Sequence, residues 1–311
     1  MNTKQLRYVL VLAHEGSFSK AAETLGISQP SLSQYIKKIE KEQGVTLFDR
    51  SNGNVRITDA GHAYIEVGRR MLDLEKQMER RFEDLSAFRS GSIVIGVSPH
   101  RCVHLMPEIV KRFHKLYPGL HLVIEERVGA SLLDDAEHGQ FDLCIANLPV
   151  DRKVFGHQLM MREEVVLAVN TEMDLYQKLN QAAVRIDGKM YPAVDYRLLA
   201  DEAFVILADT QPTQIILKEI CAEEGIEVRT AIECRTVETQ FAMVRAGIGA
   251  ALIPSGISQF SNAGEVAFFS FVQPLPYRDV AVVYRKGQYL SKAVKDLIQI
   301  MVNLQQDDDT E

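Results

Sequence analysis

Ser17-Phe18-Ser19-Lys20-Ala21-Ala22-Glu23-Thr24-Leu25-Gly26-Ile27-Ser28-Gln29-Pro30-Ser31-Leu32-Ser33-Gln34-Tyr35-Ile36-Lys37-Lys38-Ile39-Glu40-Lys41 reads as two short helices separated by a tight turn. Ser17 and Ser28 each precede a helical stretch, where a hydroxyl can accept from the free N–H groups of a first turn, and Gly26 lies where the first helix must stop. Pro30 falls in the first turn of the second helix, where its missing donor does no harm. At about 100° per residue, Leu32, Tyr35, Ile36 and Ile39 gather on one side of that helix, to pack on Ala21, Ala22 and Leu25. Pro30, Ser33, Gln34, Lys37 and Lys41 gather on the other. This is the layout of a helix-turn-helix that places its second helix in a DNA major groove. Gln29, Pro30, Ser33 and Gln34 are then the candidates for base edges and Lys37 and Lys41 for phosphate, with Ser28 and Ser31 as further DNA-binding candidates.

The flanking sequence supports that reading. Leu47-Phe48-Asp49-Arg50 leads into Ser51-Asn52-Gly53-Asn54 and then Val55-Arg56-Ile57-Thr58. Asn-Gly between short apolar runs is a strong hairpin signal, and Arg50 and Arg56 on either side of the tip suit a wing against a phosphate backbone or minor groove. Thr58 caps a long helix whose apolar positions Ala60, Tyr64, Val67, Met71, Leu74, Met78, Leu85 and Phe88 follow a four-three spacing, with one miss at Arg81. A narrow stripe of this kind is a coiled-coil seam that wants a partner. Tyr64, Val67, Met71, Leu74, Met78 and Leu85 are therefore candidate dimerisation residues, and a dimer would bring two reading heads to a two-fold DNA site.

Residues 3 to 65 resemble the N-terminal domain of the LysR-type transcriptional regulators. The resemblance is carried by Gly16-Ser17-Phe18-Ser19-Lys20-Ala21-Ala22, Ser28-Gln29-Pro30-Ser31-Leu32-Ser33, Leu47-Phe48-Asp49-Arg50 and Ile57-Thr58-Asp59-Ala60-Gly61. It implies an α/β chain: an N-terminal winged helix-turn-helix at 1–58, a linker and dimerisation helix at 59–89, and a regulatory domain at 90–311. The last is expected to be a two-subdomain fold like the type 2 periplasmic binding proteins, with subdomain I at about 90–170 and 266–305 and subdomain II at about 171–265. The expected partners are double-stranded promoter DNA, a small effector, a second or further copies of the chain in a homodimer or homotetramer, and RNA polymerase.

Composition agrees. The chain has 311 residues, 46% hydrophobic, with a formal charge of −7. Residues 1–90 carry 14 Lys and Arg against 12 Asp and Glu, whereas the remainder carries 21 against 30, so the acid belongs to the second half. No apolar run is long enough to cross a membrane and helix begins almost at Met1, which leads to the expectation of a cytoplasmic protein with no membrane partner. From Gly91 onward strands alternate with helices. Strands are expected near 93–97, 120–125, 141–146, 165–170, 204–207, 228–234, 250–253, 266–271 and 280–284, in mostly parallel sheets. Helices fall near 105–116, 131–138, 214–223, 238–246 and 291–304. The stretch 171–201, with Asp187-Gly188-Lys189-Met190-Tyr191-Pro192, is expected as an elaboration that touches either the cleft or a neighbouring subunit.

Two such sheet units leave a cleft, and ligands in these folds lie at the carboxyl ends of strands, facing helix N-termini. Three loops qualify: Ser98-Pro99-His100-Arg101-Cys102, Gly129-Ala130-Ser131 and Asp209-Thr210-Gln211-Pro212. Each pairs a hydroxyl with free backbone N–H groups, which suits a carboxylate or phosphate, and Arg101 could add a bidentate clamp. The resemblance points to the same cleft. The candidate effector contacts are Ser98, His100, Arg101, Ser131, Asn147, Thr210, Gly247 and Ile248, and the expected effector is an anion, most naturally a carboxylate. Cys102 stands near a helix N-terminus beside Arg101, two features that lower a thiol pKa, so a thiol- or metal-responsive regulator is an alternative. His100 and His104 complete His-Arg-Cys-Val-His, but ligands two apart on a helix diverge, and neither a metal nor a cofactor is expected. With no GxSxG, P-loop or Rossmann glycine pattern, the chain is not read as an enzyme. A solute-binding protein without regulatory role is the last alternative, disfavoured by the reading head.

Overall fold

The computed structural model describes residues 3–49, 55–85, 91–129, 131–209, 211–258, 264–273, 275 and 278–304. It divides into two compact units, Met1–Ala87 and Phe88–Glu311.

The first unit contains α1 (Thr3–Glu15), α2 (Phe18–Thr24), α3 (Gln29–Gln43), β1 (Phe48–Asp49), β2 (Arg56–Ile57) and α4 (Asp59–Leu85). Helix α2 stops at Gly26, which takes φ +64°, while the N–H groups of Gly26 and Ile27 return to the carbonyls of Glu23 and Ala22. That is the glycine-terminated end in which a left-handed residue satisfies carbonyls the helix leaves open. Ser28 caps α3 by accepting from the Ser31 N–H at 3.3 Å. Ser17 precedes α2 but makes no such bond. Leu32, Ile36 and Ile39 of α3 are buried with Val9, Leu12, Ala21, Ala22, Leu47, Phe48 and Ile65. Tyr35, expected on that buried side, sits at its border and is 40% exposed, edge-on to Tyr8. The phenol tolerates water at its rim, as an aliphatic side chain there would not. The Glu40 carboxylate accepts from the Leu47 and Phe48 N–H groups, tying the end of α3 to the wing. In the wing, Phe48 pairs with Ile57 and Asp49 with Arg56; its tip, with Arg50, lies outside the described residues. Thr58 caps α4 through the Gly61 N–H at 3.0 Å. Gly61 must be glycine, because a Cβ there would stand 2.2 Å from the Leu47 carbonyl oxygen.

The second unit holds two lobes. In the first, β3 (Ser92–Val97), β4 (His121–Glu126), β5 (Leu143–Asn147), β6 (Phe155–Glu163) and β13 (Arg278–Arg285) form a sheet of order β4-β3-β5-β13-β6. Helices α5 (Pro99–Leu116), α6 (Ser131–Glu137) and α11 (Lys292–Val302) cover it. In the second, β7 (Val165–Asn170), β8 (Ala193–Val194), β11 (Ala251–Pro254) and β12 (Val266–Phe271) form a sheet of order β11-β7-β12-β8. Beside it lie the pair β9 (Ala203–Leu207) and β10 (Arg229–Cys234), joined to it by a bridge from Phe204 to Ala250. Helices α7 (Asp174–Ala182), α8 (Pro212–Glu224), α9 (Val237–Arg245) and the single turn α10 (Ser255–Ser258) complete the lobe.

Three features differ from the sequence reading. The sheets are mixed rather than mostly parallel: β13 runs antiparallel to β5 and β6, and β7 antiparallel to β11 and β12. The crossings also fall elsewhere. Strands β7 and β12, assigned by sequence to subdomain I, pair within the second lobe, so the chain crosses at Glu163-Glu164 and again between Phe271 and Arg278. A strand buried on both faces, such as Val165–Asn170, carries no mark of which lobe it belongs to. Finally, the residue pattern does not predict β6 or α7. The burial of β6 follows no period of two, and α7 buries only Leu175 and Leu179, too little for a helical period to show.

Residues 171–201 pack on their own lobe. The Tyr191 hydroxyl donates to Ser258 Oγ at 2.5 Å and its ring rests against Phe268, while Lys189 pairs with Glu164 of the crossing at 3.3 Å. None of the segment lines the cleft.

Candidate functional site

On the first unit, the outer face of α3 presents Gln29, Pro30, Gln34, Lys37 and Lys41 to solvent, with Ser31 and Ser33 half-buried at its edge. Ser28 is exposed, but its hydroxyl is occupied by the cap and by the Ser31 hydroxyl at 2.7 Å. Ser28 and Ser31 thus fix the start of the helix whose next turn carries Ser33 and Gln34. Arg56 is exposed on β2. A polar helix face with lysines one turn beyond its amides, beside an arginine-bearing hairpin, is chemically suited to a groove and its two phosphate rims.

Along α4, Val67, Met71, Leu74 and Met78 are exposed, Leu74 to 65%, and Phe82 extends the stripe. Tyr64 instead packs against the core of its own head. Leu85 ends the described helix, and Phe88 lies outside the described residues.

In the second unit a cavity of about 320 Å³ opens between the lobes. The N-termini of α5, α8 and α9 all border it, through Ser98-Pro99-His100, Gln211-Pro212-Thr213 and Thr236-Val237-Glu238. Converging N-termini leave backbone N–H groups and positive dipole ends facing one space. Ser98, His100, Arg101 and Asn147 line it, as the sequence reading expects; Thr210 lies outside the described residues, though its three successors line the cavity.

Arg101 is not a free clamp. It is 3% exposed, and its Nη2 donates to Asn147 Oδ1 at 2.7 Å and to Glu163 Oε2 at 2.9 Å. A second cation, Arg278, opens β13 beside the same carboxylate. Its Nε is buried without a hydrogen-bond partner among the described residues. Burial holds its pKa down to about 10, with Glu163 opposing and Arg101 adding to that fall. Two guanidiniums thus share one carboxylate. His100 is 9% exposed; its Nδ1 lies 3.2 Å from the Ser98 hydroxyl and its Nε2 has no partner among the described residues. Burial, then Arg101, Arg278 and His104, hold the ring well below the usual histidine range, so it is neutral at pH 7.

Across the cavity, Glu238 in the first turn of α9 has a buried Oε1 with no partner among the described residues. Burial raises its pKa first and Glu126 adds to it, while its own N–H and the Thr236 hydroxyl work against the rise. Arg127 also borders the space, but is paired with Asp135 at 2.7 Å and Glu125 at 3.1 Å.

Three candidate residues lie elsewhere. Ser131 is exposed and donates to the Val128 carbonyl, leaving its neighbours Leu132 and Leu133 to line the cavity. Gly247 and Ile248 stand at the C-terminal end of α9, Gly247 with φ +71°, whereas the opposite end of that helix meets the cleft. The rule that selected the other loops, a strand end followed by a helix start, applies equally to β10 and α9 and would have found Arg235 to Glu238. Arg278 had no comparable signal, because it begins a strand that enters the sheet antiparallel.

Cys102 also departs from expectation. Its thiol is pushed up to about 11 by burial and by Glu126. Cys144 is pushed to about 12 by burial, all four cysteines are free thiols, and no metal-binding cluster occurs among the described residues.

A winged helix-turn-helix head followed by a two-lobed α/β unit is the architecture of a DNA-binding transcriptional regulator with an effector-binding domain. Residues 3–62 match the bacterial regulatory helix-turn-helix protein, lysR family, and residues 86–306 match the LysR substrate binding domain; the chain belongs to the LysR family of DNA-binding, non-enzymatic transcriptional regulators. That membership sets aside the solute-binding alternative. The chain is 28% identical over 305 residues to the uncharacterized HTH-type transcriptional regulator YcgK of Bacillus subtilis, covering 96% of this chain and 94% of YcgK. It is likewise 28% identical over 300 residues to the DNA-binding transcriptional dual regulator OxyR of Escherichia coli, covering 96% and 94%. The crystal structure of full-length CbnR complexed with its target DNA shares the fold, with a TM-score of 0.61 at 19% identity over 98% of this chain and 99% of CbnR.

Proposed function

We propose that this chain binds promoter DNA through the outer face of α3, with Gln29, Pro30, Ser33 and Gln34 at base edges and Lys37, Arg50 and Arg56 at phosphates. Two or four copies associate, pairing through the α4 stripe, which leaves Val67, Met71, Leu74 and Met78 exposed in a single chain. A small anionic effector occupies the cleft and alters how the heads meet DNA, and the complex acts on RNA polymerase. The protein works in the cytoplasm; no helix among the described residues is long and apolar enough to cross a membrane. The observation that carries the effector reading is Arg278 at the cleft floor, which shares the carboxylate of Glu163 with Arg101 and keeps a buried Nε without a partner among the described residues, beside a neutral His100 and the start of α5. Two guanidiniums on one carboxylate leave an excess of positive charge, which costs stability that a bound carboxylate returns.

Several relatives are named hydrogen peroxide-inducible genes activators. The thiols here give that reading little support, since burial raises all four. A thiolate, not a thiol, reacts with oxidants.

The test is to select binding sites from a random duplex pool with the full-length protein. A two-fold symmetric site, lost in Gln34→Ala with the fold intact, is expected. Equal affinity of wild type and variant for the selected site would overturn the assignment of the reading face.

A further inference from the structure

Four residues that line one cavity each hold a buried polar atom without a partner among the described residues: Arg278 at Nε, Arg101 at Nε, His100 at Nε2 and Glu238 at Oε1. They come from β13, α5 and α9, and they are of opposite kinds. Arg278 is a cation and His100 is nine-tenths buried beside the open N–H groups of α5. Glu238 is an acceptor on the facing lobe. Arg278 and Glu238 do not settle each other: the charges acting on Arg278 are Glu163 and Arg101, and the one acting on Glu238 is Glu126.

Each simple ligand class satisfies one side and offends the other. A plain carboxylate or phosphate suits Arg278 and the helix N-termini, yet enters a closed space holding Glu238 with nothing to give it. A plain amine suits Glu238 and meets Arg278. A molecule with both charges offers a partner to the donors on one side and to the acceptor on the other, and about 320 Å³ accommodates one of small size.

Building on the effector-cleft reading above, we infer that the ligand is a zwitterion, an α-amino acid or close analogue. Its carboxylate meets Arg278, His100 and the first turn of α5, and its ammonium meets Glu238. Glu238 is then the residue that sets selectivity between amino acids and other carboxylates. The raised pKa of Glu238 fits this role, since an ammonium beside it restores the ionised form.

The experiment is thermal unfolding and calorimetric titration of the full-length protein with each of the twenty amino acids, the matching 2-hydroxy acids and the matching primary amines. At least one amino acid is expected to stabilise the wild type, with its hydroxy acid and amine each at least tenfold weaker. In Glu238→Gln that preference for the amino acid over the hydroxy acid should collapse to within about threefold, a change that loss of folding does not produce. Arg278→Gln should lose both ligands. Hydroxy acids that bind as well as amino acids overturn the inference and leave the effector cleft standing. No response to any amino acid or hydroxy acid overturns the cleft reading as well. The wild-type comparison stays decisive if Glu238→Gln fails to fold.

Discussion

The two units place their chemistry in opposite ways. The reading head turns its polar residues outward from a small apolar core, all within one helix and one hairpin. The cleft draws its polar residues inward, from Ser98 to Arg278, across two lobes and three helix starts. A face that meets DNA keeps its charges hydrated until binding, so single changes there should cost affinity and little stability. A cleft that sets two guanidiniums against one carboxylate would recover stability on binding the proposed anion, so changes there should move both.

The largest effect should come from Glu163→Gln, which leaves Arg101 and Arg278 without a counter-charge. Breaking a buried pair in this way costs about 3–5 kcal/mol, and chemical denaturation of the second unit should show it, with the Tm partly recovered by a cleft anion. Unchanged stability would mean the floor is wetter than its burial implies. In the head, Leu32→Ala should cost about 2–5 kcal/mol by opening a cavity under α3, read as loss of the head's unfolding transition together with DNA binding. Gln34→Ala separates the two quantities: about 1–3 kcal/mol of DNA affinity should go with the Tm intact, and an equal loss in both would erase the distinction between the units.

Acid provides a subtler probe. His100 is held neutral in the fold but takes up a proton below pH 6.5 when unfolded, so the unfolded state binds more protons and stability should fall as pH drops below 6.5. The slope is at most about 1.4 kcal/mol per pH unit, and His100→Gln should flatten it. Glu238, with its raised pKa, acts in the opposite sense just above pH 4.5, where the folded state takes up a proton first. The smallest effect is that of Lys37→Ala, which should weaken binding to all sequences alike and lower the salt slope by about 1.

The same contrast explains what could be read from residue order. The head is local: Gly26, Ser28, Pro30 and the Leu32-Ile36-Ile39 spacing each act within a turn or two, and the structure places them as the pattern implies. In the second unit, most strands were legible as short apolar runs such as Leu143–Asn147 and Ala251–Pro254, and most helices as the longer stretches between them. The crossings were not, since Val165–Asn170 is apolar throughout and pairs equally well in either sheet. Arg101 was legible as a cleft residue but not as one already engaged, because Glu163 lies 62 positions away on a strand whose irregular burial hid it. Glu238 and Arg278 stand out only when the lobes are folded and their unpaired atoms face one space.

The most direct test is a footprint of the full-length protein on its selected duplex, with and without a saturating amount of whichever amino acid or hydroxy acid raises its Tm. Coupling between a ligand site and a DNA site requires that the ligand change the protein's hold on DNA. The account predicts a footprint or affinity that shifts with ligand in the wild type and not in Arg278→Gln. Identical footprints and affinities in the wild type, with the ligand demonstrably bound, would contradict it.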